Sequence, residues 1–477
     1  MNTQGFNPYL PSWEYVPDGE PHVFGNRVYV FGSHDRFNGY AFCMNDYICY
    51  SADITDLKNW KYEGVIYERN SDPENTDGEM CLYAPDVTRG PDGRYYLYYV
   101  LSGLQVVSVA VSETPAGHYE FYGYVHYLDG TRLGEKYSDE PQFDPGVLVE
   151  NNQVYLYTGA CPPDAKERTG PKVTVLASDM LTVLEEPRTI APSKPYSAGT
   201  GYEGNEFFEA ASIRKVGKKY YFIYSSIQYH NLCYAVSDSP LGGFDFGGTI
   251  VSNVDLGIST YKDKDRPMAF IDNNHGSIEY INGQWYVFYH RHTNGNSYSR
   301  QGCIEPIEIL KDGTIPQVEI TSSGPNGAPL NGYGYYPAYI ACHIYCNTNI
   351  ADVVGMTHPG KKRDARFPYL TQDGKDGDEY LGYVANMDDG ATAGFKYFEC
   401  KNTRVVEIKV RGWCKGRYLI MNEPDGEILG SIEVKLSNEW KCYTGNIKIP
   451  DGVQSLYFQY SGYGSANLAG FTLRTEE

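Results

Sequence analysis

Helix-building stretches are scarce in this 477-residue chain, whereas 51 Gly and 27 Pro punctuate it throughout. Few segments have the Ala, Leu, Glu and Lys richness of helices, so the chain reads as nearly all β. Positive charge is also short: 40 Lys and Arg stand against 60 Asp and Glu, for a formal net charge of −20. Such a balance repels polyanions and argues against nucleic-acid and anionic-membrane partners. No apolar run approaches the ~18 residues of a membrane span, and the start, Met1 to Pro8, has neither the basic nor the apolar region of a signal peptide. Eleven cysteines, from Cys43 to Cys442, follow no framework spacing and read as reduced thiols. A cytoplasmic location is expected. No G-x-S-x-G, P-loop or Rossmann fingerprint occurs, which removes the common nucleophile and nucleotide sites. Cys342-His343-Ile344-Tyr345-Cys346 lacks the second pair of a zinc site, and strand alternation explains it as well.

What is abundant is tyrosine, 46 against 19 Phe. An apolar ring with a hydroxyl handle suits half-buried strands and sugar-binding surfaces. The tyrosines also mark a repeat. Five segments, beginning at Asp18, Asp86, Asp144, Glu209 and His275, each read as a strand, a tight turn and an aromatic return strand. Aligning the return strands brings Tyr29, Tyr96, Tyr155, Tyr221 and Tyr286 into register, with separations of 67, 59, 66 and 65 residues. That period holds four short strands, one blade of a propeller, and five periods predict a five-bladed β-propeller.

The residues that open the repeats lie 11, 10, 11, 12 and 11 positions before the aligned tyrosines. Equivalent places in a propeller converge on its axis, so four carboxylates and one imidazole should meet there. A turn uses a short polar side chain but has no need of Glu or His at that place. Crowded charges cost energy and are retained where pKa values must be pushed apart for chemistry. Carboxylates alone in an aromatic-rich, acidic pocket fit glycoside hydrolysis best, since that reaction needs one carboxylic acid and one carboxylate. His22 and His34, beside strands in a Tyr-rich core, read as satisfied core histidines.

Asp18 in Pro-Asp-Gly-Glu-Pro-His-Val-Phe, Tyr83-Ala84-Pro85-Asp86-Val87, Phe143-Asp144-Pro145, Phe207-Phe208-Glu209-Ala210 and Asn274-His275-Gly276-Ser277 together resemble glycoside hydrolase family 43 over about residues 7 to 315. The resemblance implies an inverting exo-glycosidase that releases arabinose or xylose from arabinoxylan-derived oligosaccharides. In it Asp18 is the general base, Asp144 tunes and orients the acid, and Glu209 is the general acid. Tyr83, Asp86, His275 and Arg300 would contact the substrate. No cofactor is required, and a calcium ion in the channel beside His275 is the one metal the resemblance suggests. Gly19 and Tyr83 stand where relatives often have Pro and Trp, which bears on substrate preference. A non-catalytic glycan-binding propeller is the competing reading; it gives no use to a separate acid and base.

Residues 1–318 are thus read as the propeller, 319–335 as a linker built on Ser322 to Gly327, and 336–477 as a β-sandwich of jelly-roll kind. In that last part Val406, Ile408 and Val410 alternate with charged residues, and Leu456, Phe458 and Tyr460 alternate with polar ones. Its end, from Trp440 through Asp451-Gly452-Val453 to Asn467-Leu468-Ala469-Gly470-Phe471, resembles a carbohydrate-binding module of family 6. Trp413 and Trp440 are expected in its core.

Overall fold

The computed structural model describes residues 3–257, 268–269, 272–346 and 367–475. Up to Ile307 the chain forms five antiparallel meanders, four of them four-stranded. The fifth contributes three strands among the described residues, Ser277–Ile281, Gln284–His292 and Arg300–Ile307. The inner strands are Glu20–Phe24, Leu82–Arg89, Gly146–Glu150, Phe207–Val216 and Ser277–Ile281, and each packs beside those of its two neighbouring blades. A parallel bridge between Gly19 and Gly276 joins the first blade to the fifth. The result is a closed five-bladed propeller.

The repeat register is literal. Tyr29, Tyr96, Tyr155, Tyr221 and Tyr286 sit opposite His22, Thr88, Leu148, Arg214 and Glu279 on the inner strands of their own blades. Apolar layers fill the gaps between blades, for example Tyr96, Tyr98, Val154 and Leu156 between the second and third. The tyrosine richness follows from this packing. A buried phenol fills an inter-blade layer while its hydroxyl satisfies a carbonyl on the next blade: Tyr47 to Tyr83 O (2.6 Å), Tyr98 to Met180 O (2.6 Å) and Tyr157 to Pro240 O (2.7 Å). The backbones crowd at the axis. A Cβ on Gly276 would lie 1.8 Å from Phe288 O, and one on Gly146 2.4 Å from Ala211 O, so only glycine fits there.

From Leu330 onward the strands of the described residues join one sheet, ten-stranded among those residues. Its long strands Thr403–Met421 and Gly452–Thr475 pair antiparallel over most of their length, and the sheet curls around a core that includes Val406, Ile408, Val410, Leu456, Phe458 and Tyr460. The two faces of the expected sandwich are therefore halves of one curled sheet. Trp413 departs from its expected place in the core. It is 61% exposed, with Tyr463 edge-on at 5.2 Å, next to Gly412 and paired opposite the stretch that holds Gly464, both at positive φ. Trp440 is partly buried, under the Arg411 guanidinium at 4.3 Å.

Residues Ser322 to Gly327 are packed as part of the body: Asn7 donates its N–H to Ser322 O (2.9 Å), and Ser322 and Ser323 both donate to Lys396 O. Gly and Pro signal turns as well as tethers. His343 of the metal-like run is engaged by Asp255 (2.6 Å) and Tyr457 (2.9 Å). No helix among the described residues is long and apolar enough to cross a membrane.

Candidate active site

A cavity of about 760 Å³ opens at one end of the propeller axis. Asp18, Asp144, Glu209, Tyr83, His275 and Arg300 all line it. Three blades supply the carboxylates, and the local backbone aims them. Asp18 (φ 57°) and Asp144 (φ 44°) take the left-handed conformation just before their inner strands, tolerated best by Asp, Asn and Gly. Glu209 lies in an irregular stretch of its strand next to Ala210 (φ 67°).

Asp18 is the most tightly held. Arg300 Nη1 donates to its Oδ1 at 2.9 Å, and its own N–H donates to His290 Nδ1 at 3.3 Å. An accepting Nδ1 makes His290 the Nε2–H tautomer, with Nε2 donating to Asn273 O at 2.9 Å. Burial, with Arg300 adjacent, holds its pKa well below the usual imidazole value, so it stays neutral. Arg300 is itself gripped by Asp35, which accepts from its backbone N (3.0 Å), Nε (2.9 Å) and Nη2 (3.0 Å), while Phe42 lies 4.8 Å from the guanidinium. Both oxygens of Asp35 are thus used in a fork that fixes the arginine plane.

Asp144 Oδ2 accepts the Ala210 N–H at 3.0 Å, so it is spaced against the backbone that carries Glu209. Burial raises its pKa to about 7, against the opposing pull of His275. Burial and then the Asp144 charge raise Glu209 well above the carboxylate range. His230 Nδ1 stands 4.0 Å from Glu209 Oε1, and burial depresses its pKa to about 4, so a neutral imidazole faces the acid.

His275 lies between Asp144 Oδ2 (3.7 Å) and Glu20 Oε1 (3.8 Å). Burial opposes its charge, but Glu20 and Asp144 outweigh burial and raise it to about 9. Glu20 is held at about 2 despite its burial, chiefly by Arg214, whose Nη2 is 2.9 Å away. The one grouping of metal-competent side chains among the described residues is Glu20, His22 and Asp86. Arg214 already pairs with the Glu20 carboxylate at 2.9 Å, and His22 is bonded to Asp86 at 2.6 Å. The three side chains are thus already engaged by one another and by a guanidinium, and they do not fit the oxygen-rich set a divalent cation takes.

Asp86 requires a correction: it does not line the cavity. It lies within its inner strand, 1% exposed, accepting from Val87 N (2.7 Å), Val147 N (2.7 Å) and His22. It ties the second blade to the third. His34 bonds to Asp46 O at 2.9 Å. The sequence reading missed Asp35, Phe42, His230 and His290. The first two come from the loop between the second and third strands of the first blade, which lies outside the repeat. His290 lies in the Tyr289-His290-Arg291-His292 run, whose density of titratable residues on one strand is the available signal.

The arrangement brings into one cavity a carboxyl held well above the usual carboxylate range, a carboxylate oriented by Arg300 and a third acidic side chain bonded to the backbone beside the first. Comparisons with known proteins agree with that chemistry. The model of glycosyl hydrolases family 43 matches residues 22–315. A "Xylosidase/arabinosidase" of Thermoclostridium stercorarium is 61% identical over 476 residues, covering 100% of both chains, and a protein of the same description from Bacteroides ovatus is 30% identical over 65% of this chain and 97% of its own. Among solved structures, a family 43 arabinoxylan arabinofuranohydrolase from Bacillus subtilis has the same fold over 99% of this chain and 98% of its own (TM-score 0.52, 19% identity).

Proposed function

The chain belongs to glycosyl hydrolase family 43, and from that premise we propose that it is an inverting exo-glycosidase releasing arabinose or xylose from arabinoxylan-derived oligosaccharides. The observation that carries the reading is the divergence among three carboxylates in one cavity: Glu209 is kept protonated, whereas Asp18 is clamped by Arg300.

Glu209 is the general acid and gives its proton to the departing glycosidic oxygen. Asp18 is the general base; with Oδ1 held by Arg300, Oδ2 takes the proton of the water that attacks the anomeric carbon. Asp144 keeps Glu209 protonated and fixes its position through the Ala210 N–H. His275 balances the negative charge of Asp144 from beneath. Tyr83, edge-on to Phe143 at 5.7 Å, forms an aromatic wall for the sugar. The pentose preference is supported by the similarity to enzymes described as xylosidase/arabinosidase. A channel calcium is not part of this mechanism.

For the C-terminal sheet the proposal is a sugar-contacting surface of the carbohydrate-binding-module family 6 kind. The exposed Trp413 and Tyr463 pair supports it, because such rings stack on pyranose faces. Retention of the inactive Asp18→Ala chain on insoluble xylan should fall in Asp18→Ala/Trp413→Ala. The activity itself is tested by incubating the chain with nitrophenyl α-L-arabinofuranoside and β-D-xyloside: release of nitrophenol from at least one is expected, and from neither would overturn the proposal.

A further inference from the structure

One wall of the pocket is the loop of residues 32–46 between strands Arg27–Phe31 and Tyr47–Asp53. Phe42 and Cys43 line the cavity from it, and Asp35 anchors Arg300 while accepting the Cys43 N–H at 2.9 Å. No β-ladder holds this loop. Its outer side is covered instead by residues 369–378 of the C-terminal sheet.

The contacts are specific. Asp376 Oδ1 accepts the Phe37 N–H at 2.7 Å, and its Oδ2 accepts from Asn45 Nδ2 at 3.1 Å, so one carboxylate brackets the turn from Asn38 to Met44. Tyr15, stacked on Phe37 at 5.5 Å, donates its hydroxyl to Gln372 Oε1 at 2.9 Å. Thr371 Oγ1 donates to Asn294 Oδ1 at 2.9 Å, and Asn294 Nδ2 donates to Asn38 Oδ1 at 2.8 Å. A continuous path therefore runs from Asp376 through the loop to Asp35, Arg300 and Asp18.

We propose that residues 369–378 are a clamp by which the C-terminal sheet sets the pocket wall, with Asp376 the positioning residue that holds the 32–46 loop so that Asp35, Phe42 and Cys43 keep Arg300 against Asp18. The proposal rests on the activity stated above. Without Asp376 the loop samples other arrangements, and the substrate must re-order it on binding. Apparent affinity then falls by the fraction of molecules that are competent, while turnover at saturation is largely kept.

The test uses the full chain and three variants: Asp376→Ala, Asp376→Asn and the control Asp373→Ala. Asp373 belongs to the same segment, but its partners Arg411 (2.6 Å) and Tyr383 (3.1 Å) lie within the C-terminal sheet. Asp376→Ala should raise KM for an aryl glycoside about tenfold with kcat within about threefold, the size of a lost charge-assisted hydrogen bond or two. Trypsin cleavage after Arg36, followed by mass spectrometry, should accelerate by about the same factor if loop opening limits it. Asp376→Asn keeps one acceptor and should fall between, and it carries the test if Asp376→Ala does not fold. Asp373→Ala should leave both readouts within about twofold. Wild-type KM and wild-type protection of Arg36 in the Asp376 variants, or equal changes in Asp373→Ala, would overturn the clamp. If wild-type chain cleaves neither glycoside, the activity fails, and the proteolysis comparison still decides the clamp.

Discussion

Replacing Asp144 with Asn removes one charge beside Glu209 while keeping the shape of the site, since a carboxamide oxygen can still accept the Ala210 N–H that Asp144 Oδ2 accepts at 3.0 Å. The Asp144 charge acts directly on Glu209, and like charges in contact range, about 5 Å at an effective dielectric near 20, repel by about 3 kcal/mol. At 1.36 kcal/mol per unit, that is about 2 pKa units. Two features of the site reduce it. Asp144, with its own pKa near 7, carries only part of its charge at neutrality, and the His275 imidazolium 3.7 Å away offsets much of the remainder. A shift of about one unit is expected to remain, and because the two groups titrate together it belongs to the pair. Its sign is fixed. The acid works protonated, so the alkaline limb of the pH profile marks loss of that proton, and removing a neighbouring negative charge lets the proton leave at lower pH. The alkaline limb of kcat/KM on an unactivated oligosaccharide should therefore move to lower pH, whereas an aryl glycoside would mask the effect. An unchanged limb, or one displaced to higher pH, would refute the claim that Asp144 keeps Glu209 protonated.

Glu209→Ala should cripple cleavage of natural oligosaccharides far more than of activated aryl glycosides, because a phenolate leaves without protonation; Asp18→Ala should depress both, and equal losses in the two variants would reverse or remove the assignment. Asp35→Ala removes three hydrogen bonds from the buried Arg300 and leaves Asp18 as its remaining carboxylate partner; it should cost about 3 kcal/mol in denaturant unfolding, the lower end for a broken buried pair, with activity lost even in the fraction that folds. His275, raised to about 9, contributes stability that is fully present below its ordinary value near 6.5 and lost as pH rises through 9. His275→Gln should therefore be most destabilising near pH 6 and approach wild type near pH 10, as read by thermal melts across that range.

The propeller was legible because its physics repeats. Each blade needs an inner strand, a tight return and an aromatic that fills the next gap, and those needs printed Tyr29 to Tyr286 at a near-constant spacing. Asp18, Asp144 and Glu209 were legible for the same reason, since equivalent positions point to one axis. Asp86 shows the limit of that logic. It shares the repeat position, but its place inside a strand turns it toward the backbone N–H groups of Val87 and Val147. Asp35, Phe42, His230 and Asp376 were not legible, because loops outside the repeat and a segment more than 300 residues away in the chain bring them to the site. The strand alternation after residue 403 revealed a buried face; whether that face belongs to two sheets or one curled sheet depends on pairing between distant strands, which alternation does not record.

The central claim is that Asp18 activates water while Glu209 protonates the leaving group, across a gap that admits water. Proton NMR of the sugar first released from an aryl α-L-arabinofuranoside or β-D-xyloside, recorded before mutarotation, tests it most directly. The account predicts the anomer opposite to that of the substrate, which inverting carboxylates about 6.5–9.5 Å apart produce. First release of the retained anomer would mean that a carboxylate attacks the sugar itself and would contradict the role given to Asp18.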